Sequence, residues 1–249
     1  YYYSHSAGST ASFRSAPNPR FHLYDTWEHT LLAIDNSPHD LAIRWALVLH
    51  DLGKGLPNVR KLNKEGQPSD PGHEAESAIM AKAILTRLGY NKSFVHLVTW
   101  LVAQHMRFAP MLLTGERTLL RWVRSEAANS GFRTQAELTQ AYSLLVEVFL
   151  ADMGATHARE NEQLMAEGRL LGRQVVELVR TRMPVCSKDL AVGGRELLEL
   201  IPHAEIKNIL TYLLERVQSG NLPNEKEALL TAVHKHLKRK TTLGLGEQL

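Results

Sequence analysis

The run Asp40-Leu41-Ala42-Ile43-Arg44-Trp45-Ala46-Leu47-Val48-Leu49-His50-Asp51-Leu52-Gly53-Lys54 decides the fold. From Asp40 to Leu52 it is nearly all apolar and long enough for a helix, so it reads as the buried helix of the molecule. A glycine C-cap is expected to stop it at Gly53. Working outward, Pro38 separates it from an earlier helical segment in which Thr26 precedes Leu31, Leu32 and Ile34. On the other side, residues 56–72 are polar and hold Pro57, Pro68 and Pro71, so no helix can continue through them. That loop is long for a compact domain; it reads as a solvated connection or as a lid carrying Arg60, Lys61 and Lys64. Helical spacing resumes over 73–88, where Gly89 ends it, and again over 93–106, 116–128 and 134–153. A more charged helix follows and stops near Arg182-Met183-Pro184. Two shorter helices are expected over 206–217 and 224–238. No segment alternates with the period of two that a strand needs, so the fold class is all-α. The expected organisation is a flexible tail over 1–20, a helical domain over 21–183 and a C-terminal helical module over 184–249.

Composition excludes several classes of function. Among 249 residues, 44% are apolar and 22% charged, an ordinary globular balance. No stretch approaches 18 uncharged apolar residues, so no membrane partner is expected. The first 19 residues lack the apolar core of a signal peptide. Cys186 is the single cysteine, which rules out an internal disulfide and any cysteine-based zinc site; a reducing cytoplasm is the expected compartment. The net charge is only +3, with a pI near 9.0. Its one concentrated patch is the basic end Lys235, Lys238, Arg239 and Lys240, which could meet RNA phosphates or simply be a solvated helix terminus. Aromatic residues make up 7%, too few to suggest a stacking platform for single strands.

The chemistry concentrates in the histidines. Of twelve, His29, His50, His73, His105 and more loosely His157 fall near predicted helix ends. His50 and Asp51 close the most apolar helix, where an ionised carboxylate is costly to bury unless something pairs with it. A divalent cation would offset that cost, and imidazole with carboxylate suits Zn, Mn, Fe, Co or Ni. Adjacent helical residues point about 100° apart, so further ligands must come from other helices. His29, His73, His105 and Asp152 are the candidates. Taken alone, the pair reads more readily as a core histidine beside an Asp that bonds the last helical turn, although the helix dipole disfavours an acid there. His22, His39, His96 and His203 have no such setting and read as structural or exposed.

Several strings carry a resemblance. They are Tyr24-Asp25-Thr26-Trp27-Glu28-His29-Thr30-Leu31, Leu49-His50-Asp51-Leu52-Gly53-Lys54, Pro71-Gly72-His73-Glu74 and Leu101-Val102-Ala103-Gln104-His105-Met106, with a distant Asp152. Together they resemble the HD superfamily of metal-dependent phosphohydrolases. More narrowly they are similar to the HD part of bacterial CCA-adding tRNA nucleotidyltransferases and poly(A) polymerases. Lys188-Asp189-Leu190 and Gly220-Asn221-Leu222-Pro223-Asn224-Glu225-Lys226-Glu227-Ala228-Leu229-Leu230 resemble that family's tail. The resemblance implies an HD-type helical bundle with a divalent ion (Mn, Ni, Co, Fe, Zn or Mg) held by His29, His50, Asp51 and Asp152. It implies that His73 and His105 take a second ion, face the substrate phosphate, or are structural. It also implies a nucleotide or RNA phosphoester substrate, 2′,3′-cyclic nucleotides among them, and a C-terminal part that meets tRNA.

Two departures matter. A nucleotidyltransferase head holds Mg²⁺ with carboxylates spaced Asp-X-Asp, and none of the seven Asp here stand two apart, so CCA addition by this chain alone is not expected. Gly55 follows Lys54 where the family often has Pro. Within the implied chemistry, Asp51 is the candidate proton acceptor for an attacking water. Lys54 is the candidate cation for developing phosphorane charge, or else a solvated helix-end lysine. Arg107 is a second phosphate candidate. The competing function is an RNA-binding module without its own catalysis.

Overall fold

Asp25 opens the first helix. Its Oδ1 accepts the backbone N–H groups of Trp27 (2.9 Å) and Glu28 (2.8 Å), so it is the N-cap and Thr26 the first helical residue. The computed structural model describes residues 25–113 and 116–244, so the expected tail 1–20 and His22 lie outside the described residues. Helix α1 (Thr26–Asp35) turns Thr26, His29, Thr30 and Ala33 inward. Helix α2 (Leu41–Leu49) is capped the same way, Asp40 Oδ1 accepting from Ala42 (2.8 Å) and Ile43 (3.0 Å). It buries Ala42, Ile43, Ala46, Leu47 and Leu49 and ends with His50 as C-cap.

The expected glycine C-cap at Gly53 is not what the structure uses. Gly53 does not have a positive φ; it is a point of close approach, where a Cβ would stand 2.4 Å from the His73 carbonyl oxygen. The left-handed residue is Gly55 (φ 77°), whose N–H donates to Asp70 Oδ1 at 2.9 Å. Proline, with φ locked near −65° and no N–H, could meet neither demand, which explains the departure at this position.

Residues 56–72 are more ordered than a plain loop. Strands β1 (Lys61–Leu62) and β2 (Pro68–Ser69) pair antiparallel, Lys61 opposite Ser69 and Leu62 opposite Pro68. Asn63 Oδ1 accepts from the N–H groups of Glu65 and Gln67, both at 2.9 Å, and shapes the turn. Arg60 grips Asp70 with two bonds, Nε to Oδ1 (2.9 Å) and Nη2 to Oδ2 (2.8 Å). Two-residue strands are too short for a period to register, so only tertiary pairing reveals them.

Helix α3 (His73–Arg87) begins after Gly72 and ends at Gly89, where the Tyr90 N–H reaches back to the Leu85 carbonyl (3.1 Å). Then come α4 (Lys92–Gln104), a 3₁₀ turn at His105–Arg107, α5 (Phe108–Met111), α6 (Glu116–Asn129), α7 (Gln135–Gly154), a second 3₁₀ turn at His157–Glu160 and α8 (Glu162–Arg182). Helices α9 (Gly194–Leu198), α10 (Ile206–Gln218) and α11 (Lys226–Gly244) complete the described chain. The last helix runs past the expected end at 238, so Lys235, Lys238 and Arg239 sit within a helix, not at its terminus; the side chain of Lys240 lies outside the described residues. Apart from the small hairpin, the described chain is helical, in keeping with the all-α reading and the HD-type bundle.

Two compact units emerge. One groups the described residues up to 113 with 141–173; the other groups 116–140 with 174 onward. In the first, α3 and α4 pack along each other, α2 lies on both and α1 on α2. Its core includes Leu47, Leu85, Leu101, Phe108, Tyr142 and Leu145. Phe108 stacks on Phe149, and Trp100 meets Tyr142 edge-on. In the second, α10 packs on α6, α9 and α11 around Leu197, Ile209, Leu213, Leu229 and Val233. Among the described residues, no helix is long and apolar enough to cross a membrane.

Candidate metal centre

Four histidines reach one place in the first unit from four elements. His29 lies one turn into α1, His50 caps α2, His73 is the first residue of α3, and His105 follows α4. All four are buried. Each gives its Nδ1–H to a backbone carbonyl: His29 to Ala155 (3.2 Å), His50 to Leu47 (2.6 Å), His73 to Asp70 (2.8 Å) and His105 to Val102 (2.7 Å). A carbonyl oxygen can only accept, so each Nδ1 must carry the proton, and each ring in its neutral form presents the Nε2 lone pair inward. This is the tautomer a metal-ligating histidine adopts when its other nitrogen is tied down.

Asp51 stands between the rings. Its Oδ2 is 3.3 Å from His50 Nε2 and 3.9 Å from His29 Nε2; its Oδ1 is 3.2 Å from His73 Nε2 and 3.8 Å from His105 Nε2. Asp152, in the last turn of α7, puts Oδ1 2.8 Å from His29 Nε2 and 3.6 Å from His50 Nε2. Two donor groups result, His29/His50/Asp51 and Asp51/His73/His105, and Asp51 belongs to both. The structure therefore brings together His29, His50, Asp51, Asp152, His73 and His105.

The electrostatics of this cluster ask for positive charge. His73 and His105 point their Nε2 atoms at each other across 3.2 Å, and two bare lone pairs at that distance repel unless a proton or a cation lies by them. His50 Nε2 and Asp51 Oδ1 are buried without a hydrogen bond. Burial opposes the His50 imidazolium, yet the Asp51 and Asp152 carboxylates outweigh it and push His50 up to about 10. Burial also opposes the charged form of Asp51, but the charges of His50 and Lys54 hold it well below the usual carboxylate range. Asp152 is held low against burial by His29 and His50. Burial and the neighbouring His50 charge push His105 down to about 3, leaving it a neutral donor. Nitrogen and oxygen donors on rigid elements, with tautomers already set: this donor set fits a divalent cation of the borderline class.

Lys54 is not a solvated helix-end residue. Its Nζ sits 2.7 Å from Asp51 Oδ2, and its side chain is largely buried. Arg107 is exposed, on the wall of a cavity of about 950 Å³ that opens over the cluster. Asp51, Lys54, His73, His105 and Asp152 form the polar end of that cavity. Asp152 keeps 21% of its side chain exposed, so the cluster is reachable from it. His157, His39 and His203 are exposed and His96 is half-buried, and none of them belongs to either donor group.

Sequence reasoning missed several residues that hold the cluster in place. Asp70 accepts from Arg60 and Gly55 while its carbonyl orients His73. Ser77 Oγ accepts the Gly53 N–H at 2.8 Å and pins the turn after Asp51 to α3. The Ala155 carbonyl orients His29 from 126 residues away. Asp70, in Ser69-Asp70-Pro71-Gly72-His73, offered the one available signal: an acid next to a turn and three residues before a candidate ligand.

Comparison with known proteins agrees with this geometry. The HD domain family model matches residues 22–158. The chain is similar to the A-adding tRNA nucleotidyltransferase of Deinococcus radiodurans, with 28% identity over 216 residues, 84% of this chain and 46% of that protein. It is similar to the CC-adding tRNA nucleotidyltransferase of Thermus thermophilus, with 30% identity over 213 residues, 83% of this chain and 44% of that protein. It also matches the multifunctional CCA protein of Azoarcus sp., with 42% identity over 67 residues, 26% of this chain and 15% of that protein. The chain spans less than half the length of these relatives. No solved structure matches it significantly.

Proposed function

The chain belongs to the HD domain family, and from that premise we propose that it is a metal-dependent phosphohydrolase acting on nucleotide phosphoesters, 2′,3′-cyclic nucleotides among them. The observation that carries this reading is the convergence of four Nε2 atoms on Asp51 and Asp152 at the polar end of a large open cavity. In it, His29, His50, Asp51 and Asp152 hold a divalent ion. When bound, such an ion supplies Lewis acidity toward a phosphoryl oxygen and makes a nucleophilic water available near neutral pH. Asp51 accepts the proton of the attacking water. Lys54, fixed beside Asp51, offers positive charge to the phosphoryl group as it becomes more anionic. Arg107 draws the phosphate in from the cavity wall. His73 and His105 would hold a second ion together with Asp51 or face the substrate phosphate. The functional domain runs over 21–183, with 184–249 as a C-terminal helical module, and the protein works in the cytoplasm.

Metal analysis of the purified protein, followed by turnover of bis-p-nitrophenyl phosphate and 2′,3′-cAMP with Mn²⁺, Co²⁺ and Ni²⁺, tests the proposal. Bound metal and metal-dependent turnover that disappears in Asp51→Ala are expected. Absence of turnover with every metal, or full activity in Asp51→Ala, overturns it.

The A-adding and CC-adding relatives, which align over most of this chain, favour a second reading: the protein contacts tRNA through its basic C-terminal end. Lys235, Lys238 and Arg239 are exposed on α11. Salt-sensitive tRNA binding that survives Asp51→Ala but weakens when these cations are neutralised would favour that reading.

A further inference from the structure

The phosphoester chemistry uses only one end of the cavity. Much of the remaining lining is apolar (Met106, Ala109, Pro110, Leu112, Leu113 and Leu164), although Asn63, Ser69, Asp70, Glu74 and Thr156 also face the cavity. At about 950 Å³ the cavity is at the top of the range of roughly 300–1,000 Å³ that holds a drug-sized ligand, far beyond what a phosphate fills. Met106 is 41% exposed and Leu113 91% exposed, so two large apolar side chains stand in water at the mouth of a polar site. Solvated apolar surface beside a functional cavity marks a binding surface.

We infer that this aliphatic group is the subsite for the nucleobase of the substrate. The inference rests on the phosphoester reading for the polar end and adds the organic group. The cavity joins the polar cluster with Lys54 to a broad aliphatic group on the same lining, as a nucleotide joins a phosphate to a base. A base is flat, apolar on its faces and polar on its edges, so it can lie on a wall that reaches solvent and keep its edges wet. An alkyl chain laid along the same wall would leave methylene groups in water. Specificity in such pockets comes from a few placed polar groups. The six aliphatic side chains therefore contribute contact with the faces of the base, not with its edges.

Isothermal titration of the full chain in EDTA, which halts turnover, tests the inference with AMP, UMP, ribose 5-phosphate and n-octyl phosphate. AMP and UMP are each expected to bind at least about tenfold tighter than ribose 5-phosphate, since the sugar phosphate lacks the apolar ring. In Met106→Ser/Leu113→Ser, AMP is expected to weaken by about tenfold while ribose 5-phosphate is unchanged. Both substitutions lie at exposed positions, and circular dichroism confirms the fold. AMP binding no tighter than ribose 5-phosphate, or AMP binding insensitive to the two substitutions, overturns the inference. So does n-octyl phosphate binding as tightly as AMP, which would make the wall an alkyl site. If AMP binds in this base-dependent way but no metal supports hydrolysis of any phosphoester, the phosphohydrolase reading falls and the base subsite stands.

Discussion

Gly53 shows how much one atom can decide at the residue scale. It sits between Asp51 and Lys54, and a Cβ there would meet the His73 carbonyl oxygen at 2.4 Å, the Ser77 nitrogen at 3.1 Å and the Glu76 Cβ at 3.1 Å. Backbone cannot move aside as a flexible side-chain tip can. Gly53→Ala should therefore push α3 away from the turn and shift His73 relative to Asp51. Overpacking of this kind costs about 1–3 kcal/mol. The expected outcome is a Tm lower by about 2–4 °C per kcal/mol lost, together with weaker metal binding. Calorimetry and a metal titration on the same variant check it; an alanine variant with unchanged Tm and metal affinity would show that the approach is not as tight as described.

At the scale of elements, the helix caps and the hairpin clamp set the positions of the ligands. Asp40 satisfies two of the open N–H groups of α2, the helix that delivers His50 and Asp51. Asp40→Ala should cost about 1 kcal/mol, the usual worth of an N-cap, read as a lower Tm with the metal stoichiometry preserved. The Arg60–Asp70 clamp makes a pH prediction. Burial raises the Asp70 carboxyl, but the Arg60 guanidinium and the Gly55 N–H more than offset this and hold it below 3.8. A depressed folded value means that Asp70 contributes stability above its unfolded value of 3.8, and that this contribution is lost as the pH falls through the folded value. The stability gap between the protein and Asp70→Asn should accordingly be widest near neutral pH and shrink below pH 3.8. Denaturant unfolding at several pH values measures it; a gap that stays constant down to the acid end would show that the Asp70 charge does not contribute.

For the whole molecule, all six donors lie in one compact unit. A ligand that binds only the folded state stabilises it by about 2.7 kcal/mol at a hundred times its Kd, and that stabilisation should appear where the donors are. Hydrogen exchange on adding Mn²⁺ is expected to slow across residues 47–54, 73–77 and 102–105. Residues 206–217 of the second unit should exchange as before. Equal slowing in both units would place a cation elsewhere as well.

The sequence by itself determined the helical class and the order of the ligand strings, because both are local. Apolar spacing is set by helix geometry over one or two turns, and His50-Asp51 is legible as a dipeptide at the end of an apolar run. The same local reading misplaced the glycine stop, since Gly53 answers to a backbone atom twenty residues on, which no spacing reveals. It also treated 56–72 as an uninterrupted loop, because strands of two residues show no period. Only the tertiary structure decided that four Nδ1–H groups are tied to carbonyls, and so that four Nε2 atoms face one place. It alone made Asp51 common to both donor groups, set Lys54 on that carboxylate and grouped 116–140 with the C-terminal segment. Hydrogen-bond direction, shared ligands and cavity walls depend on distances between residues far apart in the chain, and those distances exist only once the helices have packed.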